Sequence, residues 1–241
     1  MPGLGVRNVN KVFLGMYQGM MTKQVTEGTA NAIKRTKKNG KEVHEIHFNT
    51  LGGYFTDIRV KEDDQKRKYW VFVIEWDGID HELSTGYTSI AAGGVLRRLK
   101  NMDFNQIIEF RSYWIKGDDE VDRGYLIPYI NDVKVEEYYS RENPKEMPLP
   151  EIVTINNQEK FDYTKRMNFF KKQVVEEILP KMREAHPLSE AAVNESEDLV
   201  DENPFTDEEL LAGQRQQNRE DAAGAPAGEG DPGPGESDLP F

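Results

Sequence analysis

Aromatic and basic residues alternate in the middle of this chain. Phe55 shares a strand parity with Arg59 and Lys61, Arg111 shares one with Tyr113, and Arg67 and Lys68 run into Trp70. Cations neutralise phosphates, and flat side chains stack on bases at about 1–3 kcal/mol per base, so this mixture suits a single-stranded nucleic acid. A further cluster, Lys34, Arg35, Lys37 and Lys38, lies in a stretch that reads as a basic loop, with Asn39-Gly40 as its tight turn. The candidate contact set is therefore Lys34, Arg35, Lys37, Lys38, Phe55, Arg59, Lys61, Arg67, Lys68, Trp70, Arg111 and Tyr113. Phe72, Phe110 and Trp114 read as core, because a small β-domain must bury most of its aromatic residues.

Catalytic chemistry finds little support. His44 and His47 are three apart, which on a strand places them on opposite faces, a poor metal pair. No cysteine is present, so thiolate zinc sites, disulfides and cysteine nucleophiles are excluded. MPGLGV and AAGGV lack the glycine-and-lysine spacing of a phosphate loop, and no carboxylates stand out as an acid–base pair. The expectation is a binding protein, not an enzyme, with no cofactor and no metal.

The elements that position these residues read as mainly β. EVHEIHFNT and YFTDIRVK alternate and flank LGG, the pattern of a hairpin. It would place Tyr54, Thr56, Ile58 and Val60 on one face and Phe55, Asp57, Arg59 and Lys61 on the other. DDQKRK is a charged loop, YWVFVIEW a strand apolar on both faces, and Asp77-Gly78 a hairpin turn. Ser89 is a candidate N-cap for a short helix, although Gly93 and Gly94 each weaken it by about 1 kcal/mol relative to alanine. NQIIEFRSYWIK and YLIPYINDVKVEEYY complete a strand pair, with Pro128 marking an edge or bulge. This order predicts an OB-fold-like five-stranded Greek-key barrel with a short helix before the last strand pair. Residues 11–26 suggest a further strand pair or bent strand. After a Pro-rich connector, residues 161–180 have the spacing of an amphipathic helix ending at Pro180.

Charge divides the chain. Residues 1–180 hold 27 basic and 27 acidic residues, whereas 181–241 hold 4 basic and 16 acidic ones, so the whole net charge of −12 sits at the C-terminal end. From about residue 184 the sequence turns acidic and rich in Gly, Pro, Ala and Gln, a composition that cannot offset its ordering entropy. The expected organisation is a folded domain over 1–183 and a disordered acidic tail over 184–241. No apolar run is long enough to span a bilayer, and no basic-then-apolar leader opens the chain, so a soluble cytoplasmic protein is expected.

The tail closes on SDLPF, and an apolar end serves no solubilising purpose. A barrel followed by an acidic tail with Pro-Phe as its last two residues resembles the bacterial and phage single-stranded DNA-binding proteins. The residues that carry the resemblance are Asp238, Leu239, Pro240 and Phe241, with Asp231 and Glu236 upstream. It covers some ten residues and the architecture. The acidic run is more dilute than in the family, and the first 40 residues and helix 161–180 have no counterpart in the plain bacterial form, which points to a divergent member from a phage or mobile element. The resemblance implies coating of single-stranded DNA during replication, recombination and repair, with the tip recruiting partner proteins of those processes. DLVDENPF, residues 198–205, repeats the acid-then-Pro-Phe theme. A protein–protein adaptor and an RNA-binding OB protein are the alternatives.

Overall fold

The computed structural model describes residues 10–37, 40–116, 122–155 and 158–186. The protein is mainly β. Strands β1 (Asn10–Tyr17), β2 (Met20–Val25), β3 (Ile33–Thr36), β4 (Glu42–Phe48), β5 (Thr50–Glu62), β6 (Lys68–Trp76), β7 (Ile79–Gly86), β8 (Ile108–Lys116), β9 (Asp122–Ile130) and β10 (Val133–Lys134) form one mixed sheet. Its order is β10-β9-β8-β5-β6-β7-β1-β2-β4-β3. The order is open: β7 pairs in parallel with β1 rather than with β9, so the expected closed barrel is not what the described strands form.

Turn chemistry explains several of these pairings. Asp77 and Gly78 both have positive φ, 53° and 72°, and make the two-residue turn between β6 and β7. Gln18 and Gly19, at 46° and 72°, do the same between β1 and β2. LGG, by contrast, makes no hairpin. The chain bends at Asn49 and runs from β4 straight into β5, with Leu51, Gly52 and Gly53 inside the strand. Thr50–Gly53 pairs with β8 and Tyr54–Glu62 with β6, so these residues mark where a long strand changes neighbours. Residues 33–36 of the expected basic loop are likewise strand β3, paired with β4.

Between β7 and β8 lies helix α1 (Ile90–Leu96), capped by the Ser89 hydroxyl, which accepts from the Ala92 N–H at 3.1 Å. Buried Arg98 ties its end to the following segment, donating to the carbonyls of Gly94 at 2.6 Å and Val135 at 2.8 Å. The sequence-level cost of Gly94 has a tertiary reason. A Cβ there would lie 2.5 Å from the Leu126 carbonyl oxygen of β9. Gly94→Ala would gain about 1 kcal/mol of helix propensity but force apart a packed backbone contact at about 1–3 kcal/mol. Net destabilisation is therefore expected, read as a lower urea midpoint with an unchanged slope.

The remaining chain forms a small two-stranded sheet, β11 (Glu151–Ile155) and β12 (Gln158–Asp162), and a helical run of α2 (Thr164–Gln173), a π-helical stretch over Val174–Ile178 and α3 (Leu179–Ala185). The helix was expected to stop at Pro180. It continues, because Pro180 occupies the first turn of α3, where a missing N–H costs little. Met167, Phe170, Val174, Ile178, Leu179 and Met182 join the same apolar core as Phe55, Phe72 and Phe110. No helix of the described residues is long and apolar enough to cross a membrane.

Candidate nucleic-acid interface

The structure separates the predicted contact residues into a buried group and an exposed one. Phe55 and Trp70 belong to the buried group and cannot stack on a base. Phe55 packs against Phe110 at 5.2 Å, Phe72 at 5.9 Å and Phe104 at 6.1 Å between ring centres. Trp70 stacks on Tyr87 at 5.7 Å, with 12° between the rings. The physical reason for Phe55 is a β-bulge. Phe55 pairs with Ile74 and Asp57 with Val73, so Thr56 is an extra residue and alternation slips by one. Phe55 and Ile58 then both face the apolar core, while Asp57, Arg59 and Lys61 lie on the opposite face of the strand, the first two buried there. Phe72 and Phe110 are core, as read from sequence.

The outward row of β5 is an ionic network. Arg59, itself buried, donates to Asp57 and to Glu82, both at 2.7 Å. Lys61 reaches the other Glu82 oxygen at 3.0 Å, and Lys11 lies 3.4 Å from Glu82. Burial works against the Glu82 carboxylate, but Lys61 and Arg59 overcome it and lower its pKa. Asp57 behaves oppositely: burial outweighs Arg59 and raises its pKa. Arg59 is thus a structural cation, whereas Lys61 stays half exposed. In the loop after β5, Arg67 pairs with Asp63 at 2.7 Å, and Lys68 is half-buried.

The exposed group gathers where the β1–β2 turn meets the β8–β9 hairpin. Tyr113 is 37% exposed and its hydroxyl donates to that of Tyr129 at 2.8 Å. Arg111 lies over the Tyr129 ring at 4.3 Å and is held by Glu109 and Asp132, which raise its pKa. Trp114, expected in the core as most aromatic residues of a small β-domain are, is 51% exposed. Its backbone is gripped instead: a Cβ on Gly19 would lie 2.8 Å from Trp114 Cβ and from the Tyr113 carbonyl, so only glycine fits the turn that presses there. Exposed Phe48 stands alongside, its carbonyl accepting from the Ser112 hydroxyl at 3.4 Å. Tyr17, just before the turn, carries the Arg35 guanidinium on its ring at 4.0 Å.

Trp114, Phe48 and Tyr17 were missed. The available signal was position: NQIIEFRSYWIK is followed by the polar run GDDEVDRG, so its last residues extend beyond the core that Ile108 and Phe110 fill. Of the basic stretch, Lys34 pairs with Glu42 at 2.9 Å, and Arg35 grips Glu45 through two nitrogens at 2.9 and 2.5 Å. The Lys37 carbonyl accepts from the Gly40 N–H at 2.8 Å, and the Lys37 N–H donates to the Lys41 carbonyl at 2.8 Å. Lys38 and the tip residues Asp238, Leu239, Pro240 and Phe241 lie outside the described residues.

No family model, curated protein or solved structure matches this chain. Lys34, Arg35, Arg59, Lys61, Arg67 and Arg111 each hold a carboxylate. These pairs divide into two kinds. Those of Arg35, itself half-buried, and of buried Arg59 end on the buried carboxylates Glu45 and Glu82, and opening them would strand a charge. Those of Lys34, Arg67 and Arg111 reach solvent, where an ion pair contributes little and a phosphate can replace the carboxylate, and half-exposed Lys61 can leave buried Glu82 because Arg59 still pairs with it.

The buried pairs set an acid limit. The Arg35 guanidinium lowers the pKa of Glu45, and Glu82 is lowered as well, from ordinary values of 4.5. The folded state thus binds these protons less readily than the unfolded chain. The stabilisation is fully present above about pH 4.5 and is lost as pH falls through the lower folded values. Asp57 contributes with the opposite sign, since its burial costs stability at neutral pH and acid relieves it. Glu45→Gln is expected to lower the urea midpoint at neutral pH and to make the loss on acidification shallower.

Proposed function

We propose that this protein binds single-stranded DNA without strong sequence preference, through an OB-like core, during replication, recombination and repair. The observation that carries the reading is the exposed Tyr113–Trp114 pair on the β8–β9 hairpin, flanked by Arg111 and by the Tyr17–Arg35 contact. Stacking surfaces beside cations, of which Arg111 is exchangeable, suit a strand whose bases are unpaired. The fold supports the same reading. Within the large sheet, β9-β8-β5-β6-β7 is the strand order of a five-stranded OB Greek key, and α1 falls between its third and fourth strands. The added strands β1–β4 lie on the flank of β7 where such a key would meet its last strand. The acidic and Pro-Phe residues of SDLPF support recruitment of partner proteins of DNA metabolism.

The pairing of these six candidate cations with carboxylates favours a second reading, an adaptor that binds protein. One experiment separates them: titration of the full chain into a labelled deoxythymidine oligomer over a range of salt. Four exchangeable cations, Lys34, Lys61, Arg67 and Arg111, each contribute about 0.7 to the logarithmic slope on single strands, so a slope of roughly −3 is expected. Reversing Lys34 and Arg111 to glutamate is expected to flatten it by more than about 1.4. Absence of salt-dependent binding would favour the adaptor, and stronger binding of the uridine oligomer would make RNA the ligand.

A further inference from the structure

The sheet of β11 and β12 pairs with no other strand among the described residues. A lone two-stranded hairpin is at best marginally stable in water. This one also turns an apolar face to solvent. Ile152 and Phe161 sit directly opposite each other and are 62% and 60% exposed, and nearby Leu149 is 57% exposed. Edge strands are normally protected by a lysine, a proline or a bulge. Strand β11, EIVTI, has none of these within its span, and its single charge is at its first residue. Strand β12 carries Glu159, Lys160 and Asp162, and so blocks its own outer edge.

We propose that β11 is a self-pairing edge: a second copy of this chain docks antiparallel along it, giving a two-fold, four-stranded sheet in the order β12-β11-β11-β12. The strand is complementary to itself. In the register centred on Val153, Val153 meets the partner's Val153, Ile152 meets the partner's Thr154, and Glu151 meets the partner's Ile155. No like charges oppose each other, and β-branched pairs are favoured cross-strand neighbours. A one-residue slip would put Ile152 and its mate on opposite faces of the sheet, and a longer slip would leave strand ends unpaired. Self-pairing along β12 centred on Lys160 would instead set that lysine against itself. The two-fold joins Leu149, Ile152 and Phe161 of both copies into one apolar surface. Two short hairpins bury less than a standard interface, so the dimer is weak and concentration-dependent.

The chain contains no cysteine, so a single introduced one reports alone. The experiment oxidises full-length Val153→Cys and Glu159→Cys at matched concentration, and sediments the unmodified protein across a dilution series. Opposed residues of an antiparallel pair fall within disulfide range, so crosslinking at 153 is expected to be at least about ten-fold faster than at 159. Sedimentation is expected to show a mass rising toward the dimer with concentration. Ile152→Lys with Thr154→Lys changes only exposed positions, sets lysine against lysine across the proposed seam and not within the hairpin, and is expected to hold the protein monomeric with its melting temperature retained. A monomer throughout the dilution series, equal crosslinking at 153 and 159, or a dimer that survives the two lysines would each overturn the proposal.

Discussion

Replacing Tyr113 and Trp114 together with alanine is expected to weaken binding of a deoxythymidine oligomer by about 2–6 kcal/mol, at 1–3 for each stacked base. At the lower end this is about 30-fold in Kd, and at the upper end it removes detectable binding. Both side chains are substantially exposed on the outlying part of the β8–β9 hairpin, so thermal stability is expected to change little. The measurement is fluorescence anisotropy at one low salt concentration, with a melting curve of the same sample. Trp114→Ala alone is informative, because its backbone contact with Gly19 survives the substitution while its ring is lost. Unchanged affinity in the double variant, with the fold intact, would remove this hairpin from the binding site.

Trp70→Ala is expected to act on stability instead. The ring is fully buried and stacked on Tyr87, so truncation leaves a large cavity at about 3–5 kcal/mol. That is a sizeable share of the 5–15 kcal/mol typical of a domain. Trp70→Phe is expected to retain most of the stability. Among the described residues the indole Nε1 has no hydrogen-bond partner, so the smaller ring gives up packing and no bond. Urea unfolding at neutral pH, followed by circular dichroism, distinguishes the two. If Trp70→Ala instead weakened DNA binding at unchanged stability, the ring would have to be reachable by ligand.

The two tryptophans show why residue type alone misplaces a site. Each is an aromatic next to cations in a β-segment. Trp70 lies in YWVFVIEW, apolar at successive positions, so alternation carries no information about which face is wet. Tertiary structure supplies that answer: the odd positions Val71 and Val73 are covered by the ionic row of Asp57, Arg59 and Glu82, and the even ones Trp70, Phe72 and Ile74 enter the core. Trp114 has core parity but lies past Ser112, where the sheet has outrun the interior.

Local chemistry was legible in the sequence because its causes lie within a few residues. The Asp77-Gly78 turn needs two left-handed residues, the Ser89 cap needs one hydroxyl three residues before an N–H, and the charge division between 1–180 and 181–241 is a matter of counting. What required the tertiary structure depends on neighbours distant in sequence. LGG reads as a turn, but Gly53 is small because Glu75 and Ile74 of β6 close on it, and Gly94 is small because Leu126 of β9 does. The extra residue at Thr56 exists only relative to β6, and it alone moves Phe55 from the outer face to the core. The open order of the sheet was decided in the same way. The edge of β7 accepts either strand by hydrogen bonding alone, and the parallel register of Asn10–Leu14 against Ile79–Leu83 is set by Leu14, which enters the common core beside Leu83. Packing of that kind compares one candidate neighbour with another, and a pattern confined to either strand holds no such comparison.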